Sequence, residues 1–376
     1  MLLRKTACYI DLDQLDKNLS ELQKVVGETK IMAVLKGDAY GHGAPEVFRH
    51  LLKKGIKYFA VAALNEALQL RRISKECEIL ILGWTPDELL HYVAENGITQ
   101  AVWTYEQAKI LSDLKRNAKV HIKVDTGMNR LGFTPTEESA ETVKKITELP
   151  GLCVEGIFSH LSQLSVESDK KQAEKFDNFL KMCEKRGISF KLRHLVNGKN
   201  AALIPECRYD MVRSGTVLFG YYKNDDQMKV SDIMSLKTAV ARVHKVPAGE
   251  GIGYDLLDPC DHDRIIATLP FGYADGVPKT LSNHKGFVSI RGKKAEICGN
   301  LCMDMCFADV TDIEGVKAGD EVTVYGEGAM SFIDARALSG VGITNLQVIL
   351  VKRVPRVYIE NGKAVKTVDA LLGEEE

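Results

Sequence analysis

Up to about Gly220, short runs rich in β-forming residues alternate with stretches of helical periodicity. That alternation limits the fold more than any other feature of the chain. Strands are expected over Lys30–Lys36, Tyr58–Ala63, Glu78–Gly83 and Thr99–Trp103, then over Lys119–Val124, Val154–Ser159, Leu192–Val196 and Met211–Phe219. Between them, Asn65–Arg72, Tyr105–Arg116 and Lys170–Arg186 carry apolar residues at helical spacing. Asp87 and Thr104 are placed to cap helix starts. Strands separated by helices pair in parallel, so this α/β series implies a closed (β/α)8 barrel of TIM type. An open doubly wound sheet is the alternative, disfavoured because no Gly-x-Gly-x-x-Gly follows the first strand.

The pattern changes near Ser235. Beyond it the chain reads as strands and turns: Thr238–Val246, Arg264–Leu269, Phe287–Ile290, Glu321–Tyr325 and Val351–Ile359. Asn361-Gly362 between two β-forming runs is a two-residue hairpin signal. The expected division is therefore a barrel over 1–235 and a mostly β domain over 236–376.

A length of 376 residues accommodates both. Fifty basic and fifty-one acidic residues leave a net charge of −1, so no field draws the chain to nucleic acid or an anionic membrane. Charges interrupt every apolar run before it reaches the length of a membrane helix, and the start lacks the apolar stretch of a signal peptide. Nine scattered cysteines, an odd number, do not form a secreted disulfide framework, so a reducing cytoplasm is expected. Cys298, Cys302 and Cys306 recur every four residues but lack the distant second pair of zinc and cluster motifs. They are expected to be buried thiols, and no metal is expected.

In such a barrel, functional groups sit at the C-terminal ends of the strands. The first strand ends in Lys36, followed by Gly37-Asp38-Ala39-Tyr40-Gly41-His42-Gly43. Burying an ammonium is costly, whereas a desolvated, neutral lysine amine is what attack on an aldehyde requires. Position alone leaves open a surface lysine with its head in water. His160 follows the sixth strand, and His194 lies on the seventh, before Asn197-Gly198. Arg213-Ser214-Gly215-Thr216 lies on the eighth. The loops after the last two strands are the usual phosphate site of these barrels, with Gly198, Ser214, Gly215 and Thr216 as donors. Singly, His160 could be a core histidine and Arg213 a surface cation. Together, a lysine, a phosphate cradle and polar strand ends point to pyridoxal phosphate.

The stretch Ala33–Gly43 resembles the cofactor-lysine signature of alanine racemases, with Gly37 where alanine is usual. The resemblance continues through Asp125–Gly132, Met211–Gly215, Gly272–Gly276, Cys302-Met303-Asp304 and Arg353–Arg356, over nearly the whole chain and in the family's order. It implies that Lys36 holds the cofactor and that Lys36 and Tyr254 are the two acid/bases, one on each face. From the residues alone, Tyr254 would be an apolar contact on a β surface. A tyrosine with reference pKa about 10 needs cationic neighbours to act near neutrality, and His160 and Arg130 are the family's candidates. Arg213 would face the pyridine nitrogen and leave it unprotonated, with His194 orienting it. Tyr40, Ser214, Gly215 and Thr216 would hold the phosphate. Gly198 stands where serine is general in the family.

Arg130 and the backbone at Met303 would bind the substrate carboxylate, near Tyr273, Cys302 and Asp304. Lys123 stands where some members carry a carbamylated lysine that pairs with that arginine. The resemblance also implies a small amino-acid substrate and a head-to-tail homodimer in which the β domain of one subunit completes the other's site. The expected role is D-alanine supply for peptidoglycan.

Leu346 replaces a tyrosine that in the family helps exclude side chains larger than methyl. Serine or a broader substrate range is therefore an alternative to alanine. Basic amino-acid decarboxylases share the layout, but their Gly-rich loop and Pro-Gly-Arg signature are missing. Non-catalytic cofactor-binding proteins are single barrels, without the residues beyond 236.

Overall fold

The computed structural model describes residues 2–222 and 226–373. The chain opens with strand β1 (Ala7–Asp11) and then runs through β2 (Lys30–Val34), β3 (Tyr58–Val61), β4 (Glu78–Ile81) and β5 (Thr99–Val102). β6 (Ala118–Lys123), β7 (Leu152–Phe158), β8 (Leu192–His194) and β9 (Met211–Ser214) follow, with helices between. Two compact units result. One comprises Lys17–Ala39 and Ala44–Val230; the other comprises the chain up to Asp16, Tyr40–Gly43 and everything from Ser231.

The first unit is the expected (β/α)8 barrel. Strands β2 to β8 are neighbours in chain order, with β9 on the free side of β2, all parallel. The remaining seam, between β8 and β9, is spanned by one bridge, Asn197 to Arg213, and by Arg213 N donating to Val196 O at 3.2 Å. The barrel is nearly closed. Its strands read as continuous apolar runs such as Lys-Ile-Met-Ala-Val and Tyr-Phe-Ala-Val, because helices cover one face and the barrel interior the other. Phe59 packs edge-to-face on Phe48 of the helix Ala44–Lys53, with ring centroids 4.5 Å apart.

The strands end earlier than periodicity suggests. β2 stops at Val34, with one further ladder bond from Leu35 N to Ala60 O at 2.8 Å, and β9 stops at Ser214. Thr104 caps its helix, accepting from Gln107 N at 3.2 Å. Asp87 does not; Pro86 takes the cap position, and Asp87 starts a short 3-10 turn with no side-chain cap bond.

The second unit is mostly β. Its strands are β10 (Met234–Ala239), β11 (Arg242–Val246), β12 (Gly251–Ile252), β13 (Asp258–Pro259), β14 (Arg264–Leu269), β15 (Phe287–Ile290) and β16 (Lys293–Cys298). β17 (Cys306–Asp309), β18 (Glu321–Tyr325), β19 (Arg356–Glu360) and β20 (Lys363–Val368) complete it. A ten-stranded sheet runs β11-β14-β17-β16-β15-β18-β10-β1-β19-β20. β1, placed with the barrel half by the sequence division, is an interior strand here, antiparallel to β10 and parallel to β19. The single strand expected over Thr238–Val246 is two, broken at Val240-Ala241. Asn361 and Gly362 both have positive φ, as the tight β19–β20 hairpin requires.

The glycines of Gly41-His42-Gly43 also find their reason in this unit. A Cβ on Gly41 would lie 2.2 Å from Gln347 O, and one on Gly43 1.8 Å from the Tyr358 hydroxyl. Arg356 donates to Gly41 O from Nε and Nη2 at 3.2 Å, and Tyr358 to His42 O at 3.0 Å.

No helix among the described residues is long and apolar enough to cross a membrane. Among them, no group of three or more His, Cys, Asp or Glu side chains is arranged to hold a metal ion. Cys298 and Cys306 are buried and unpaired, and burial pushes both thiols up.

Candidate active site

Lys36 emerges half-buried where β2 ends. The next four residues, Gly37 to Tyr40, all have φ between 53° and 62°, a single left-handed turn. Asp38, Ala39 and Tyr40 carry side chains in this conformation at a cost of roughly 1 kcal/mol each, a cost that Gly37 escapes. Two carboxylates hold the turn. Glu66 accepts from Gly37 N at 2.6 Å and from Ala62 and Ala63 N, while Asp38 accepts from Ala44 N at 2.7 Å. Burial and the Arg130 charge lower the Lys36 pKa, partly offset by Glu66. A neutral amine is thereby easier to reach, as attack on an aldehyde requires.

Deeper in the barrel, Arg213 makes a directed network. Its Nη1 donates to His194 Nδ1 at 2.7 Å and to His194 O at 3.0 Å. Its Nη2 donates to Ser159 O at 2.7 Å, Leu195 O at 2.9 Å and His160 Nδ1 at 3.1 Å. A guanidinium only donates, so Nδ1 of both histidines must accept. His194 therefore carries its proton on Nε2 and donates to His121 Nδ1 at 2.9 Å. The three histidines are uncharged. Burial first, and then the Arg213 charge, hold His160 and His194 well below the usual 6.5. Burial brings His121 down to about 4. Arg213, over the ring of Phe158 at 5.3 Å, is lowered by burial and by Arg130 to about 9, still charged at neutral pH.

Lys123, on β6, is buried beside this network and donates to Val124 O at 2.8 Å. Burial and the Arg213 charge lower its pKa to about 7. Arg130 is exposed on the next loop, where Asp125 accepts from the backbone N–H of Gly127, Asn129 and Arg130.

Residues expected to hold a phosphate lie at the end of β9 and at the start of the helix after β8. Ser214 pairs with Ala33 in the β2–β9 ladder, so it lies on the strand adjacent to the one that ends in Lys36. Its hydroxyl is buried with no hydrogen-bond partner, a cost the fold carries unless an acceptor binds there. Gly198 starts the short helix Gly198–Leu203, capped by Asn197. A Cβ on Gly198 would sit 2.7 Å from Ser214 Oγ and 3.0 Å from Val217 Cγ2, so Ser214 and Val217 occupy the space a side chain would need. Gly215 and Thr216 follow directly.

The remaining expected residues lie in the β-rich unit. Tyr273, Cys302, Met303 and Asp304 converge: Tyr273 N donates to Cys302 O at 3.1 Å, Ala274 N to Met303 O at 3.0 Å, and Arg353 to Asp304 at 2.7 Å. Tyr40 has its phenol pushed up by burial to about 12, so it stays a hydroxyl donor. Tyr254 is 67% exposed, at the tip of the β12–β13 hairpin. Leu346 is fully buried on the helix Ile343–Val348.

Three supporting groups escaped the sequence reading. His121 is one, although its position two before Lys123 on a strand puts both on one face. Gly156 is another: a Cβ there would lie 2.8 Å from the His121 ring. Gly156→Ala is expected to cost about 1–3 kcal/mol through overpacking, seen as a lower melting temperature. Unchanged stability would show the ring free to move. Asp275 is the third, fully buried between Arg4 and Arg353 and accepting from Gly272 N.

Two family models match: "Alanine racemase, N-terminal domain" over residues 10–223 and "Alanine racemase, C-terminal domain" over 233–358. Alanine racemase 1 of Clostridium acetobutylicum is 39% identical, over 97% of this chain and 98% of that protein. Among solved structures, the alanine racemase of Clostridium difficile 630 has TM-score 0.95 and 33% identity, covering 99% of this chain and 100% of that one. The alanine racemase of Bartonella henselae with covalently bound pyridoxal phosphate has TM-score 0.84 and 28% identity, covering 94% and 99%.

Proposed function

The chain belongs to the alanine racemase family, and on that premise we propose that it interconverts L- and D-alanine by a two-base mechanism with Lys36 and Tyr254. The observation that carries this reading is the pairing of Lys36, at the end of β2, with an unpartnered buried hydroxyl at Ser214 on the adjacent strand. One end takes an aldehyde and the other a phosphate. Pyridoxal phosphate, the family's cofactor, supplies an electron-withdrawing system that acidifies the α-carbon of a bound amino acid. Lys36 would hold it, and Tyr40, Ser214, Gly215, Thr216 and the Gly198 backbone would hold its phosphate. Arg213 would face the ring nitrogen with an N–H donor, and its histidine partners hold the guanidinium in place. Arg130 and the Met303 backbone orient the substrate carboxylate. Lys36 takes or returns a proton on one face, and Tyr254 on the other.

Because Tyr254, Tyr273, Cys302, Met303 and Asp304 belong to the β-rich unit, we read the active form as a homodimer whose β-rich units complete the partner's sites. Activity that persists in demonstrable monomers on dilution would reject this. The setting is cytoplasmic, with D-alanine supply for peptidoglycan as the role. With added pyridoxal phosphate, the purified protein is expected to turn L-alanine into a mixture of both enantiomers. No interconversion under those conditions overturns the proposal.

The Lys123 pKa of about 7 leaves much of its amine uncharged at neutral pH, the form that reacts with carbon dioxide. We therefore assign Lys123 a carbamate that pairs with Arg130. Protein equilibrated with ¹³C-bicarbonate should show a carbamate resonance that Lys123→Ala lacks; identical spectra reject it.

Leu346 favours a second reading, in which serine or larger amino acids are also accepted. Comparing kcat/KM for L-alanine, L-serine, L-lysine and L-arginine decides it. A preference above about tenfold for anything but alanine replaces the first reading.

A further inference from the structure

The hairpin that presents Tyr254 is short and strained, and something must hold it. β12 and β13 pair over only two residues each, Ile252 opposite Asp258. The tip between them has Asp255 and Leu256 in the left-handed region, φ 62° and 46°, with Leu256 and Leu257 exposed. Such a tip has little intrinsic preference for one position.

Asp258, two positions from Leu256, is buried and takes three hydrogen bonds from three different segments. Arg264 Nη1 donates at 3.1 Å, His284 Nε2 at 3.0 Å and Gly299 N at 2.9 Å. Burial works against its charge, but these donors hold its carboxyl below the usual range. His284 is itself placed at a cost: it and Asn283 have φ 63° and 54°, unusual for residues with side chains. Its Nδ1 faces Glu296 at 3.3 Å, and Lys294 reaches the other oxygen of Glu296. Arg264 also faces Asp261 and Asp309 at 3.8 Å. Beneath the hairpin, Ile252 packs with Val246, Cys260, Ile266 and Cys298.

We infer that Asp258, clamped by His284 and Arg264, is a positioning residue for Tyr254: it fixes the base of the hairpin and so where the phenol is presented. The inference rests on the acid/base role proposed for Tyr254. Asp258 touches no reacting atom; it acts through the two strand residues that carry the tip.

The test uses the cofactor-loaded full-length protein. Asp258→Asn replaces one accepting oxygen with an N–H₂: at the Oδ2 position it opposes His284 and Gly299, at the Oδ1 position Arg264. It is expected to lower kcat by about 10- to 100-fold while KM changes less than about threefold, as for a displaced catalytic group. His284→Gln keeps an N–H toward Asp258 and should stay within about threefold of wild type, whereas His284→Ala should resemble Asp258→Asn. Added to Tyr254→Phe, Asp258→Asn should cost nothing more, since it works only through the phenol. A full further loss in that background, or a kcat within about twofold of wild type for Asp258→Asn alone, overturns the inference. If Tyr254→Phe itself keeps the wild-type rate, the acid/base role falls instead. Amide exchange over residues 250–259 then decides the clamp: faster exchange in Asp258→Asn supports it, and unchanged exchange rejects it.

Discussion

Lys36→Ala protein, mixed with pyridoxal phosphate and then freed of unbound cofactor by gel filtration, is expected to be colourless, and its alanine racemisation to fall by on the order of 10⁴-fold or more. On the roles proposed for Lys36, the variant loses two functions at once: the amine that would hold the cofactor, and the proton carrier on one face. The fold should persist. The turn after Lys36 is fastened by Glu66 to the backbone N–H of Gly37 and by Asp38 to Ala44, neither of which involves the lysine side chain. Removing a half-buried ammonium that burial and Arg130 both oppose also removes an unfavourable charge. Visible absorbance, borohydride fixation of cofactor to the protein and a melting curve read the three parts separately. A coloured variant, or one retaining more than about one per cent of the rate, shows that the lysine is not the attachment point.

Acid should destabilise the protein well before its carboxylates titrate. Between pH 6.5 and 5.5 a loss on the order of 3 kcal/mol is expected, summed over His121, His160 and His194. The sign follows from linkage. Each histidine has a folded pKa below its unfolded value of 6.5, so the unfolded chain binds more protons in this window. The stability is fully present above pH 6.5 and drains away as pH falls toward the folded values, about 4 for His121. Protonation is resisted for a geometric reason as well as by burial. A proton on Nδ1 of His194 or His160 would point at an N–H of Arg213. Urea unfolding at pH 7, 6.5, 6 and 5.5 measures the slope. A midpoint that is flat across that range means that the histidines already carry charge in the folded protein.

Much of the fold, and the barrel residues proposed for the site, can be read from sequence because both follow from periodicity. The barrel strands are apolar runs bounded by helices, and Lys36, His194 and Arg213 lie at or within two residues of the strand ends, where the barrel rule directs attention. What periodicity cannot supply is side-chain geometry across sequence distance. The link from His194 to His121 spans 73 positions, and the room for it comes from a glycine on a third strand. Asp87 looked like a cap because aspartate suits that position, but Pro86 fixes the backbone one residue earlier. The place of β1 within the β-rich sheet depends on pairing with Met234–Lys237 and Arg356–Ile359, far along the chain. A hairpin as short as β12–β13 leaves no periodic trace at all.

The row of hydrogen bonds from Arg213 through His194 to His121 runs in one direction only, each donor facing away from the guanidinium. Passing a proton inward along it would require Arg213 to surrender one first, so the row works as an insulator rather than a wire. The row therefore fixes how the guanidinium is held and carries no proton between Arg213 and His121.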